Sequence, residues 1–403
     1  MSSGDAVPTS TPGTPSLLRA INDRAALEAL LARGPLTRPE IGVLTGLSKP
    51  TASQLLTRLR EAGLVVLDGI REGGPGRTAE VYRINADAGH VAGLDVRRAR
   101  IRASVADLTG TVTGTFELAT PGRSGGDAVA RARAAVEGAA HAAGLTLDRV
   151  DRVVIGLPGA LDPRTDRLGY ASHLPGWHIP DLLSRLRDGI GVPVAVENDV
   201  NLVAMAELAH GAAAGSRNFV LLWVSAGIGM AIVLGGSLVR GATGGAGEVG
   251  YMPVAAAPII REPGRANTGG LQAVAGAPAV LKLLRAHGFR GSDAGQIVGR
   301  ARTALEAGDE RAAAGLGELA GRLATGLAAI VSVLDPELIV LAGDTPIAGG
   351  EPLRCLVARE LYTMAIPRPP LRLSSVGGDP VLTGALHLAL GETRERIFSS
   401  TVR

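Results

Sequence analysis

The chain reads as an α/β protein with a small helical unit at its amino end, on three observations. Apolar residues fill 46% of the 403 positions but aromatic ones only 2%, so the core must be built from Ala, Val, Leu and Ile, as in sheets covered by helices. From Val91 onward, short apolar runs ending in glycine alternate with alanine-rich segments at helical spacing. The first seventy or so residues instead carry two helix starts, each with its own capping residue. A chain of this length exceeds what one core usually supports, so two or three domains are expected.

Charge and cysteine usage narrow the function classes. Lys and Arg number 41 and Asp and Glu 38, a formal excess of +3, too small for wholesale binding of a polyanion. The single Cys355 excludes an intramolecular disulfide framework and any zinc site built on several thiolates, suits a reducing cytosol, and is expected to be an inert buried thiol. Residues 1–16 have neither a basic start nor an apolar stretch, so no secretory signal is expected there, only a disordered tail. The longest apolar run, FVLLWVSAGIGMAIVLGG from Phe219, is broken by Ser225, Gly227 and Gly229. Two buried strands around a glycine turn fit it better than a membrane span. A soluble, cytoplasmic protein without membrane contact is the expectation.

Residues 17–86 read as one domain. LLRAINDRAALEALLARG has apolar residues at helical spacing and stops at Gly34. Thr37 lies three residues before Glu40, which predicts a capping box, with Leu36 able to staple to Ile41 and Pro39 in the first turn, where no donor is lost. Ser48 then caps a further helix, reached through Gly46. This is helix-turn-helix spacing. Ala52, Leu55, Leu56 and Leu59 form the inward face of the second helix, while Ser48, Lys49, Thr51, Ser53, Gln54 and Arg58 suit phosphates and base edges. LVVLDGIREGGPGRTAEVYRIN follows as a hairpin wing with Arg77 at its tip. Residues 16–85 hold ten basic and seven acidic side chains, so the whole formal excess lies here, as a domain facing a phosphate backbone requires. The alternative is a helical hairpin for protein contacts.

The remaining residues place unusual polar groups at strand ends. RVVIGLPGALD runs a strand into a Gly-Pro-Gly loop at Gly159. VPVAVENDVNLVAMAELAHG ends a strand at Glu197, Asn198 and Asp199 and passes straight into a helix. A strand pair and a loop around Glu248 follow, and LDPELIVLAGD ends another strand against glycine. Ligands gather beyond such carboxyl ends. Asn198 and Asp199 fit either a ligand contact or a helix cap, and the two roles can coexist. Trp177 reads as a packing anchor, the seven histidines show no metal-ligand spacing, and no Ser/His/Asp triad appears.

The motifs GLPGALD, LPGWHIP, VENDVN, SAGIGMAIVLGGSLVRGATGGAGEVG and LDPELIVLAGD, behind a winged helix-turn-helix, resemble the ROK family (repressor, open reading frame, kinase), in particular its DNA-binding regulators. The likeness runs from Leu17 to the C-terminus. It implies a two-lobed, actin-like, ribonuclease-H-type sugar-kinase fold over residues 91–403, preceded by the winged domain. It further implies a sugar or sugar-phosphate effector held by Gly159, Asn198, Asp199 and Glu248, a double-stranded DNA operator, and a homodimer or homotetramer. ROK kinases carry Asp-x-Gly-Gly-Thr in the hairpin that meets the nucleotide phosphates. Here Asp95 is kept, but Arg97, Arg98 and Ala99 replace the rest, so bulky side chains take the approach path and no ATP use, catalytic residue or cofactor is expected. The residue matching Asp199 would be a kinase's general base. Tyr251 stands where the family has a zinc-binding histidine, Pro263, Arg265 and Gly270 stand at its cysteines, and Gln272 replaces a sugar-binding glutamate, so no metal is expected. Two rival readings are an active sugar kinase carrying a DNA-binding domain, and a DNA-binding protein whose larger domain is only a dimerisation scaffold.

Overall fold

The computed structural model describes residues 15–72, 78–120, 127–169, 174–255, 257–258 and 269–399. Arg77, Pro263 and Arg265 lie outside them, as does nearly all of the segment 1–16. The first helix, α1 (Pro15–Arg33), starts two residues earlier than expected and ends at Gly34, whose φ of 77° is left-handed. A short strand, β1 (Leu36–Thr37), leads into α2 (Arg38–Thr45). The Thr37 backbone donates to Glu40 at 2.6 Å while the Glu40 backbone donates to the Thr37 hydroxyl at 3.4 Å, closing the capping box. Gly46, at φ 69°, turns the chain into α3 (Lys49–Glu61), capped by Ser48. Two antiparallel strands, β2 (Val65–Glu72) and β3 (Thr78–Ile84), form the wing, and β1 adds to the free edge of β3.

The larger part repeats one strand pattern twice. First come β4 (His90–Val96), β5 (Arg100–Asp107), β6 (Val112–Ala119), α4 (Ala128–Ala142), β7 (Arg152–Leu157), a small pair β8 (Ala160–Asp162) and β9 (Arg167–Gly169), α5 (Leu182–Ile190) and β10 (Val194–Asn198). After α6 (Asp199–His210) come β11 (Phe219–Val224), β12 (Ile228–Leu234), β13 (Ser237–Leu238), α7 (Gly270–Ala275), α8 (Ala277–Ala286), α9 (Ala294–Glu306), α10 (Glu310–Leu334), β14 (Leu338–Ala342), α11 (Asp344–Met364), β15 (Leu371–Leu373) and α12 (Pro380–Ser399). The sheets run β10-β7-β4-β5-β6 and β13-β12-β11-β14-β15. In each, a three-strand antiparallel meander is extended by two parallel strands beside its first strand. This duplicated order is the two-lobed, actin-like sugar-kinase fold.

Burial follows the sequence pattern. Every residue of β4 and of β14 is buried, as strands covered on both faces require. The run from Phe219 forms β11 and β12 rather than a span. Among the described residues, α10 alone is long and apolar enough to cross a membrane, and its Leu316, Leu319, Leu323, Leu327 and Ile330 are buried in the second lobe's core. Trp177 is 1% exposed and anchors the first lobe's core. Cys355 corrects an expectation: it is exposed, because Leu353 and Val357 take the inward face of α11 and leave the residue between them outside.

The register brings the polar strand ends together. Asp95 on β4 sits opposite Gly156 on β7, which in turn faces Glu197 on β10. Behind them α6 and α12 meet at small residues. A side chain on Gly384 would run into the Leu202 carbonyl, and one on Gly156 would lie 2.7 Å from both Leu202 and Val381. Gly384→Ala should therefore lower stability by about 2–3 kcal/mol through overpacking, read as a lower urea midpoint at unchanged slope. An unchanged midpoint would show that the helices have room to spread.

Candidate functional site

The turn between β4 and β5 is tight, with the Arg97 backbone donating to the Arg100 carbonyl at 2.8 Å. Arg98 projects outward and is exposed, so only one of the two arginines expected in the phosphate path turns inward. Arg97 Nε lies 2.8 Å from Asp95 Oδ1 and 3.1 Å from Oδ2, and its Nη1 donates to Asp199 Oδ2 at 2.9 Å. One guanidinium thus bridges the end of β4 and the start of α6. Asp379, just before α12, accepts from Arg102 at 3.3 Å and caps the Leu382 amide at 3.2 Å. Burial pushes the Asp95 carboxyl up to about 6; Arg97 opposes this, while the charges of Asp379 and Asp199 add to it.

The effector residues expected from the sequence gather around this bridge. Asn198 is the N-cap of α6: its Oδ1 accepts from the Val200 and Asn201 amides at 2.9 and 3.2 Å. Its Nδ2 donates to the Gly159 carbonyl at 3.0 Å, and Gly159 has a φ of 101° that favours glycine. Capping and loop support therefore take most of this amide, leaving its second N–H to meet a hydroxyl. Glu248 is half-buried. Burial, with the Asp199 charge adding, raises its carboxyl to about 7.

Two partnerships were not read from the sequence. Glu197 is 8% exposed and accepts from the Asn198 backbone at 3.0 Å, from Asn201 Nδ2 at 2.8 Å and, across the cleft, from Arg240 Nε at 2.7 Å. The acidic end of the VEND run was its only signal. Gln272, at the position of a sugar-binding glutamate, is buried against the β11 to β12 turn. Its Oε1 accepts from the Ile228 amide at 2.7 Å and its Nε2 donates to the Ala226 carbonyl at 3.2 Å. An ionised glutamate could accept the first bond but not donate the second. Gly270 begins α7, Tyr251 is half-buried, and no cluster of three potential metal ligands occurs among the described residues.

On the first domain, Ser48, Lys49, Thr51 and Gln54 are exposed on α3 and Ser53 is half-buried. The Ser48 and Thr51 hydroxyls lie 2.8 Å apart and bond to each other. Thr57 and Arg60, not singled out from the sequence, share the exposure. Arg58 has a partner not expected from the sequence. Its Nη2 donates at 2.6 Å to Asp23, a carboxylate 1% exposed on α1, because that buried charge needs a partner.

The raised carboxyls fix a pH dependence. A carboxyl whose folded pKa is raised contributes stability that is full below its unfolded value and lost as pH rises through the folded one. For Asp95 and Glu248 that window runs from unfolded values of 3.8 and 4.5 to about 6 and about 7. Glu248→Gln should be more stable than the parent by about 3 kcal/mol near pH 8 and indistinguishable near pH 4, measured by calorimetric Tm across pH. An equal difference at both ends would contradict the assignment.

Residues 91–392 match the ROK family and residues 21–77 the MarR family. The xylose repressor of Caldicellulosiruptor bescii is 24% identical over 395 residues, covering 94% of this chain and 98% of its own. A glucokinase of Halalkalibacterium halodurans is 27% identical over 313 residues, covering 72% and 92%. Among solved structures, a ROK hexokinase from Thermus thermophilus superposes with a TM-score of 0.62 at 30% identity, over 76% of this chain and 99% of its own. A ROK family transcriptional regulator, a homolog of the E. coli MLC protein, superposes with a TM-score of 0.73 at 20% identity, over 96% and 99%, a likeness of fold. The duplicated sheets, the carboxylate-lined strand ends and a family match over three quarters of its length identify this chain as a member of the ROK family, with a MarR-type winged helix domain at its amino end.

Proposed function

We propose that this ROK protein is a DNA-binding transcriptional repressor whose kinase-like domain senses a sugar and no longer transfers phosphate. The observation that carries this reading is the ion pair between Arg97 and Asp199. A hydroxyl can be deprotonated by a carboxylate only if that carboxylate is free to take the proton. Here it is held by a guanidinium, from the turn in which the resemblance to ROK kinases would place glycines. The full-length likeness to a xylose repressor supports the same reading.

In this reading Gly159, Asn198, Asp199 and Glu248 meet the hydroxyls of a neutral sugar or sugar derivative, and Lys49, Thr51, Ser53 and Gln54 face the major groove of a double-stranded operator. Arg77, outside the described residues, is assigned to the DNA phosphates on its charge and place in the sequence. Ser48 holds the start of the reading helix, and Arg58 sets its angle through Asp23. The protein acts in the cytosol as a homodimer or homotetramer, pairing two winged helices over two half-sites. The sugar lowers DNA affinity by preferring a lobe arrangement that the operator disfavours.

Two measurements test it. On an operator selected from random DNA, Lys49→Ala and Gln54→Ala should each weaken specific binding by about 1–3 kcal/mol while leaving the melting temperature unchanged; an unaltered footprint would remove α3 from the interface. A thermal-shift series with D-xylose, D-glucose and N-acetyl-D-glucosamine should reveal stabilisation that is absent in Asp199→Asn. The kinase alternative, motivated by the hexokinase and glucokinase relatives, requires sugar-dependent ADP release from MgATP, and none is expected. No thermal shift with sugars would favour the scaffold reading.

A further inference from the structure

Between the two sheets lies a layer of two helices. Val200, Leu202 and Val203 of α6 and Val381, Ala385, Leu386, Ala389 and Leu390 of α12 share one buried cluster with β4, β7, β11, β12 and β14. α12 rests on β4, β5 and β7; α6 continues from β10, touches β7 and rests chiefly on β12 and β11, and the two helices run side by side. Gly384 brings the α12 backbone onto the Leu202 carbonyl, and Gly93 of β4 sits beneath Ala385 and Leu386. The His210 and His387 rings meet edge to face across the pair, with centroids 6.1 Å apart. The α6–α12 pair therefore lies where the two lobes meet, the place at which helices slide when lobes rearrange.

Both helices begin at the Arg97 cluster. Asp199 is the first residue of α6 and holds Arg97; Asp379 caps α12, and its charge acts on both Asp95 and Arg97. The far end of α12 lies in the other domain. Ile397 and Phe398 are buried in the winged domain's own core with Leu27, Leu30, Leu55, Leu59 and Ile84, and Glu395 accepts from Arg24 of α1 at 2.8 Å. Arg58 of the reading helix is tied to the same α1 through Asp23.

We infer that α12 is the rod that carries the state of the Arg97 to Asp199 pair into the DNA-reading domain. Parting that pair frees the start of α6 to slide on α12, and α12 displaces the floor on which α1 and, through Arg58, the reading helix are seated. The inference deepens the reading of the cleft as a sugar sensor and rests on it, but its test uses neither sugar nor DNA, so failure of one is told apart from failure of the other.

The test is amide hydrogen exchange on the full chain. Arg97→Ala should speed exchange roughly tenfold in α6, α12 and α1, with α8 and α9 unchanged. Should Arg97→Ala raise exchange everywhere by unfolding, Asp199→Asn weakens the same pair from its other side and carries the comparison. Combined with Phe398→Leu, the effect on α1 should be non-additive, the response to the cleft change falling several-fold while that in α6 persists. Changes confined to the β4 to β5 turn and α6 would overturn the proposal. So would additive effects on α1, which would place the coupling on another route.

Discussion

One guanidinium holds two carboxylates together at the floor of the cleft, and much of the rest is arranged around it. Asp95 and Asp199 close on each other from different elements, the end of a fully buried strand and the start of a helix between the lobes. Unpaired, they would repel each other in a poorly solvated place. Arg97 makes their closeness tolerable, and the design is stable only while that side chain stays put, since removing one member of a buried pair strands the charge of the others. Arg102 performs a similar service for Asp379 nearby. The two arginines let three acidic residues mark the point from which α6 and α12 both depart.

The polar groups of the cleft divide into those already spoken for and those still open to a ligand. Glu197 has three donors, Gln272 a donor and an acceptor, and Asn198 Oδ1 two amides. Gln272 shows how a glutamate position can change character without loss of structure: it clamps the glycine turn between β11 and β12 with a pair of bonds that only an amide supplies. Glu248 keeps the opposite character. It is half out of water with its carboxyl raised, the state in which a side chain gains most from a hydroxyl that can donate to it.

What was legible in the sequence was local. Thr37 with Glu40, Gly46 and Ser48 act within a few residues, so spacing alone identified the helix starts and the turn, and period and glycine placement identified the strands. That Gly159, Asn198 and Asp199 would lie at neighbouring strand ends was legible because an ordered set of motifs places them there. What escaped was pairing over distance. Nothing in the alternation of residues tells that Arg58 reaches Asp23, that Arg97 turns in while Arg98 turns out, or that Glu197 meets Arg240 from the other lobe. Such choices are made by whichever buried charge most needs a partner, and that is decided only when the chain has closed on itself. Cys355 is a smaller instance: its neighbours on α11, not its own chemistry, put it outside.

The burial of Ile397 and Phe398 beneath α1 has an architectural consequence. A recognition module completed by residues from the opposite end of the polypeptide is not a bead on a string but a fitting bolted to the chassis. In the homo-oligomer proposed above, the separation of two reading helices would be dictated by how the bodies associate, with little slack to be taken up by a tether. An operator for that proposed assembly would have to match it in phase: a single inserted base pair between half-sites rotates one of them by about a tenth of a helical turn, and a rigid mount has no means of following.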